Sequence, residues 1–241
     1  MKKMFKIVLM CGLLLTLSLS AFAKKKLYVG TNAEFPPFEY LENGKPVGFD
    51  IDLVEELGKI MDYDIKIVDM AFDGLLPALQ MKKVDLVIAG MTETPERTKT
   101  VSFTQPYYTA SQVIITRKGE NGIKSFDDLK GKKVGVMLGF TGDIVVSKID
   151  GVKVERYNAA YAGIMALKAN KIDAVVLDSE PAKNFVLQNE GLEIAQTEGA
   201  QEEYAIAVRK NDTQLMEQLD NALTEIKSNG KYQELINKYF K

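Results

Sequence analysis

Residues 75–90 read LLPALQMKKVDLVIAG, and residues 163–178 read GIMALKANKIDAVVLD. Laid over each other at a constant offset, they share Ala78/Ala166, Leu79/Leu167, Lys83/Lys171, Asp85/Asp173 and Val87/Val175. In each, apolar residues at helical spacing give way, across a short polar stretch, to a run of aliphatic residues that reads as a buried strand. A helix and a buried strand in the same order, occurring twice, point to two similar α/β lobes.

The elements around each stretch repeat that logic. Before the first, residues 27–31 read as a strand. Asn43-Gly44 makes a hairpin of residues 39–49. Asp50 is expected to cap a helix that carries Leu53, Val54, Leu57, Ile60 and Met61 on one face, and Asp73 to cap the helix after strand 65–68. Residues 84–89 form the next strand. Around the second stretch, strand 133–138 turns through Gly139-Phe140-Thr141-Gly142 into a helix. Strand 152–157 follows, then a helix capped by Asn158 with Ile164, Met165, Leu167 and Lys168, then strand 172–177. Strands alternating with helices indicate mainly parallel sheets. Residues 107–117 and 204–208 are extended, and helices at 212–228 and 231–240 end the chain. The simplest topology assigns residues 24–110 and 204–241 to lobe I and residues 111–203 to lobe II. Two extended hinge strands join them, and a ligand cleft lies between them.

Residues 1–23 read as a cleaved signal peptide and take no part in the fold. Lys2, Lys3 and Lys6 precede an apolar run that ends in Ala21-Phe22-Ala23. Lipidation at Cys11 is not expected, because Met10 is a poor residue before a lipidated cysteine and the apolar run continues past it. Without the three signal lysines the formal charge moves from −2 to −5. That balance does not suit nucleic acid or an anionic membrane. The chain has no histidine, and its one cysteine is Cys11. Ser-His and Cys-His nucleophiles, thiolate zinc sites and imidazole metal sites are therefore excluded. No catalytic residue, metal or cofactor is expected.

Candidate ligand residues sit just past the strand ends. Asn32 and Phe35 follow the first strand. Ala89, Gly90, Met91, Thr92 and Arg97 follow the third, Thr141 follows strand 133–138, and Asp178 follows strand 172–177. The Arg97 guanidinium matches a carboxylate bidentately. Thr92 adds a hydroxyl, the Gly90 N–H is expected to lie open, and Thr141 adds donors at a helix start. Asp178 suits an ammonium, and Phe35 and Phe72 suit the walls around a side chain. Together they match the zwitterion of an α-amino acid. Taken singly, each also has a plainer reading. Arg97 fits a solvated short helix, Thr92 an N-cap, Thr141 an ordinary strand-to-helix turn, Asp178 a helix cap, and the phenylalanines core or rim.

The stretches GTNAEFPPFEY (30–40), VGFDIDLVEELGK (47–59), AFDGLLPAL (71–79), VDLVIAGMTETPERTKTVSFTQPYY (84–108), GKKVGVMLGFTGD (131–143) and IDAVVLD (172–178) resemble the periplasmic amino-acid-binding proteins of ABC importers. The resemblance covers essentially the whole chain after residue 23. It implies a two-lobe periplasmic-binding-protein type II fold, a monomer that delivers its ligand to membrane permease subunits, and no enzymatic activity. It further implies carboxylate contacts from Gly90, Thr92, Arg97 and Thr141, an ammonium contact from Asp178, and aromatic walls at Phe35 and Phe72. GTNAEFPPFEY and AFDGLLPAL most resemble arginine and lysine binders. Many of those carry a carboxylate where this chain has Asn32. Glu39, Glu34, Asp73 and Glu93 are the alternative sources of negative charge, with Glu39 first, although a solvated hairpin residue is its plainer reading. Asn32 also suits an amide, so glutamine is the rival ligand. Two readings from other classes are an elimination enzyme using Glu93 or Lys99 and a sensor module.

Overall fold

The structure is a computed structural model that describes residues 24–120 and 122–240; the signal-peptide reading lies outside them. It is mixed α/β with two five-stranded sheets and, among the described residues, seven α-helices. In the first sheet the strand Lys25–Thr31 runs parallel to Tyr63–Asp69 on one side and to Leu86–Val87 on the other. Ala207–Arg209 joins this sheet antiparallel, between Leu86–Val87 and Val101–Phe103. In the second sheet Lys133–Met137 runs parallel to Lys153–Tyr157 and to Ala174–Asp178. Tyr108–Arg117 and Leu192–Tyr204 complete it antiparallel.

The sequence repeat is a structural repeat. Helices Phe72–Gln80 and Ala160–Lys168 are each followed, two residues past their last, by a residue with positive φ, Lys82 at 60° and Asn170 at 55°. The next amide turns back on the helix in the same way in both copies: Lys83 N–H donates to the Ala78 carbonyl and Lys171 N–H to the Ala166 carbonyl, each at 2.9 Å. The shared aspartates then pin the coming strand to its neighbour. Asp85 Oδ2 accepts from Tyr28 N at 2.9 Å, and Asp173 Oδ2 from Lys133 N at 2.7 Å. Leu79 and Leu167 are both fully buried. The five identities are thus the residues that close the helix, point it inward and set the strand register.

The hairpin forms as expected. Strands Glu39–Glu42 and Lys45–Val47 are joined by Asn43 (φ 52°) and Gly44 (φ 75°), the paired positive φ values that a two-residue turn demands. The capping expectations need correction. The helix Phe49–Ile60 has Gly48 at its N-cap, and Asp50 is buried inside the first turn. Ala71 precedes the helix Phe72–Gln80 and Ala159 the helix Ala160–Lys168, so neither Asp73 nor Asn158 caps. For Asp50 the reason is tertiary: its carboxylate is drawn into contacts with Gly90 and Tyr107. The strand expected at residues 84–89 pairs only over Leu86–Val87. The helix after Asp178 runs over Ser179–Gln188 with Asp178 at its N-cap, as the plainer reading of that residue held, and the strand Leu192–Tyr204 is far longer than the extended run expected at 204–208.

The chain crosses between sheets twice, and the crossings hold each other. Tyr204 pairs with Tyr108, Tyr107 N donates to the Tyr204 carbonyl at 2.8 Å, and Thr104 N donates to the Ile206 carbonyl at 3.0 Å. Beside them the helices Thr213–Ser228 and Lys231–Tyr239 return to the first sheet's side. Phe240 stacks on Tyr108 at 4.8 Å and meets Phe49 at 5.1 Å. Truncating a repeat leucine tests the inward face of each copy. Leu79→Ala and Leu167→Ala are each expected to cost about 2–5 kcal/mol, seen as a clear fall in melting temperature by scanning fluorimetry. A parent-like melt for either contradicts the packing described.

Candidate functional site

Strand ends from both sheets meet at one buried cluster of polar side chains. Arg97 stands in the short 3-10 turn Arg97–Lys99, as its plainer reading held, yet it is only 8% exposed. One guanidinium nitrogen donates to the Thr92 carbonyl at 2.7 Å and the other to the Gly139 carbonyl at 2.9 Å. The cation lies 5.2 Å from the centre of the Phe72 ring, within cation–π range. Two of its five N–H groups are engaged in this way. Burial pulls its pKa down to about 10, while the charges of Asp178 and Glu202 act the other way.

Asp178, 2% exposed, ends the strand Ala174–Asp178. Gln112 Nε2 donates to its Oδ1 at 2.7 Å, and the Tyr204 hydroxyl donates to its Oδ2. Thr141 begins the helix Thr141–Val146. Glu202 Oε2 accepts from the hydroxyls of Thr141 (2.6 Å) and Thr92 (2.9 Å). Arg97, Thr92, Asp178 and Thr141 are therefore tied into one network with Gln112, Tyr204 and Glu202.

The aromatic residues wall this network. Phe72 packs on Phe140 with ring centres 3.7 Å apart, and Phe35 meets Phe140 at 5.1 Å. Ala89 and Met91 are buried beside Gly90, and the Met91 carbonyl accepts from Ala205 N at 3.0 Å. The Gly90 N–H is not open, contrary to expectation. It donates to Asp50 Oδ2 at 2.8 Å, because the first-turn aspartate reaches in from the helix Phe49–Ile60. Gly90 is needed for another reason. Its φ is 51°, and a Cβ there would sit 3.0 Å from the Phe35 ring.

The four carboxylates named as sources of negative charge separate cleanly. Glu34, Asp73 and Glu93 are exposed, whereas Glu39 is fully buried. Glu39 faces the Asp50 carboxylate, whose Oδ1 has no other donor, so a proton on Glu39 joins the two acids. Asn32 Oδ1 has no partner, while Asn32 Nδ2 donates to the Met70 carbonyl at 3.0 Å. Burial first, then the charge of Asp50, pushes the Glu39 carboxyl well above its usual range. Buried acceptors without partners are uncommon in native proteins, and each calls for an explanation.

The chain matches the model of the bacterial extracellular solute-binding proteins, family 3, over residues 27–241. It belongs to that family. Among its relatives, the arginine-binding extracellular protein ArtP of Bacillus subtilis is 39% identical over 227 residues, covering 92% of this chain and 88% of that protein. An ancestral arginine-binding protein solved with arginine superposes with a TM-score of 0.87 at 45% identity, over 91% of this chain and 100% of that one. Another structure, an ancestral arginine-binding protein bound to glutamine, gives 0.86 at 46% identity, over 90% and 98%. Within this solute-binding fold, the polar network lies where both sheets' strand ends converge. A surface depression of about 440 Å³ lined by Lys24, Lys59 and Tyr63 lies away from this network.

The residues missed by sequence reading are Gln112, Phe140, Glu202, Tyr204 and Asp50 as a site carboxylate. Gln112 carried a signal, being a polar side chain amid the apolar run of the strand Tyr108–Arg117. Glu202 carried none within QEEY (201–204).

The electrostatics of Asp178 set a pH dependence. Burial, then the charge of Glu202, raises its carboxyl from 3.8 to about 7. A carboxyl whose folded pKa lies above the unfolded one binds more protons in the folded state. The penalty for ionising it therefore grows as pH rises from about 4 to about 7. Asp178→Asn removes that titration. Measured without added ligand, its melting temperature relative to the parent is expected to be higher at about pH 8 than at about pH 4.5. An equal difference at both pH values contradicts this.

Proposed function

We propose that this solute-binding protein binds a basic L-amino acid, arginine first and lysine next, between its lobes and delivers it to the membrane permease of an ABC importer. The observation that supports the choice of ligand is the excess of buried acids, Glu39, Asp50 and Asp178 against Arg97, with Asp50 Oδ1 and Asn32 Oδ1 short of donors. A guanidinium or ammonium reaching them supplies the donors they lack. The relatives named for arginine accord with this reading.

Lobe I comprises residues 24–110 and 204–241, and lobe II residues 111–203. The α-carboxylate of the ligand takes the free N–H groups of Arg97 and the hydroxyls of Thr92 and Thr141. Its ammonium faces Asp178, and Phe35, Phe72 and Phe140 enclose its side chain. Arg97 on lobe I and Thr141 on lobe II meet one ligand, so binding favours the closed arrangement through contacts that the open one lacks. Residues 1–23 direct export and are removed, which places the protein in the periplasm. No helix among the described residues is long and apolar enough to cross a membrane. The protein acts as a monomer, without catalysis, cofactor or nucleic acid. The acid–base candidates for an elimination enzyme, Glu93 and Lys99, are both exposed, and the Lys99 ammonium pairs with Glu96.

Glutamine is the second reading, favoured by the Asn32 amide and by the glutamine-bound ancestral protein. Calorimetry on the Glu39→Gln protein separates the two. Its arginine affinity is expected to fall by roughly 2–5 kcal/mol, on the order of thirtyfold or more, while glutamine affinity falls far less. Equal losses for both ligands contradict the role of Glu39. Arg97→Ala is expected to cost a similar amount for every amino acid ligand; an unchanged dissociation constant excludes the carboxylate clamp. In a thermal-shift panel of the twenty amino acids, a ligand at 100 times its dissociation constant adds about 2.7 kcal/mol of stability. A shift with glutamine but none with arginine or lysine reverses the assignment.

A further inference from the structure

Glu202 belongs to the second crossing strand, where it pairs with Ala110. Its Oε2 accepts the Thr92 hydroxyl at 2.9 Å, the Thr141 hydroxyl at 2.6 Å and Gln112 Nε2 at 3.3 Å. Thr92 lies beside the first sheet, Gln112 is on a strand of the second, and Thr141 starts the helix that follows the second sheet's strand Lys133–Met137. Glu202 also contributes negative charge at Arg97. These hydroxyls and this guanidinium are the donors assigned above to the ligand's α-carboxylate. Each threonine hydroxyl has a single hydrogen to donate. Thr92 and Thr141 therefore serve one carboxylate oxygen at a time.

We infer that Glu202 is an internal occupant of the α-carboxylate seat, which an incoming amino acid must displace, and that it thereby sets the affinity and carboxylate selectivity of the site. The inference rests on the amino-acid-binding reading. Displacement is open to Glu202 because its side chain is only half-buried, so rotating outward returns its charge to water. While seated, it ties the two sheets together through hydroxyls from both. A ligand whose competent state is only partly populated shows an affinity reduced by that fraction. Ligands without a carboxylate stand differently. They leave Glu202 in place and gain from its negative charge.

The test compares arginine with agmatine, its decarboxylated counterpart, by calorimetry on the parent and on Glu202→Ala. Arginine is expected to bind the variant about fivefold or more tightly, as the competing state is removed. Agmatine is expected to bind the variant no better, or more weakly. Glu202→Gln keeps the side-chain length, gives up the charge, and is expected to move arginine in the same direction by less; it serves if the alanine variant does not fold. Arginine affinity unchanged or weakened in the folded variants overturns the inference and makes Glu202 an ordinary ligand contact or a bystander. Tightening for arginine and agmatine alike also overturns it, since the effect would then not involve the carboxylate. A parent protein that binds neither arginine nor lysine sinks the ligand assignment itself, whatever the variants do.

Discussion

A guanidinium removed from water must be given acceptors, and Arg97 finds them on two different elements. The Thr92 carbonyl lies on its own loop and the Gly139 carbonyl just past the end of the strand Lys133–Met137. A buried cation without partners is costly, so those two carbonyls fix where Arg97 stands. They also bring the strand ends of the two sheets together around it. Phe72 and Phe140 then stack across the same junction at 3.7 Å. The reach of Glu202 to both Thr92 and Thr141 depends on that junction being formed.

Charge balance gives the site its character. Asp178 and Glu202 act on the Arg97 cation, and Glu39 and Asp50 add to the buried acids, Asp50 being held by the Gly90 N–H and the Tyr107 hydroxyl. Burial raises the Asp50 carboxyl to about 6 and Asp178 to about 7, so the protein carries acids that resist ionising in place. A zwitterion with a cationic side chain brings one net positive charge to this excess of carboxylates. On the proposed reading, its carboxylate meets the guanidinium, its ammonium meets Asp178, and its distal cation offsets the remaining acids. On the same reading, an amide ligand leaves that charge excess uncorrected. That difference is the physical ground for ranking arginine above glutamine.

The crossing strands couple these groups to the fold. Gln112, Glu202 and Tyr204 all lie on the two strands that run between the sheets, and all three contact residues at the strand ends. Any change in the pairing of Tyr108 with Tyr204 changes the reach of those side chains. The same ladder that joins the lobes therefore also aims part of the site.

The sequence by itself determined the lobes. Residues 75–90 and 163–178 carry in their five identities the groups that close a helix and pin a strand, and these act over short separations. Local spacing also placed Arg97, Thr92, Thr141 and Asp178 at strand ends, and Asn43-Gly44 in its turn. Tertiary structure alone decided which of Glu34, Glu39, Asp73 and Glu93 is buried, that Asp50 takes the Gly90 N–H instead of capping a helix, and that Glu202 reaches Thr92 and Thr141. Such contacts join residues tens of positions apart. Their formation depends on strand register and on how closely the two sheets approach, and neither is encoded in a local pattern of residue types.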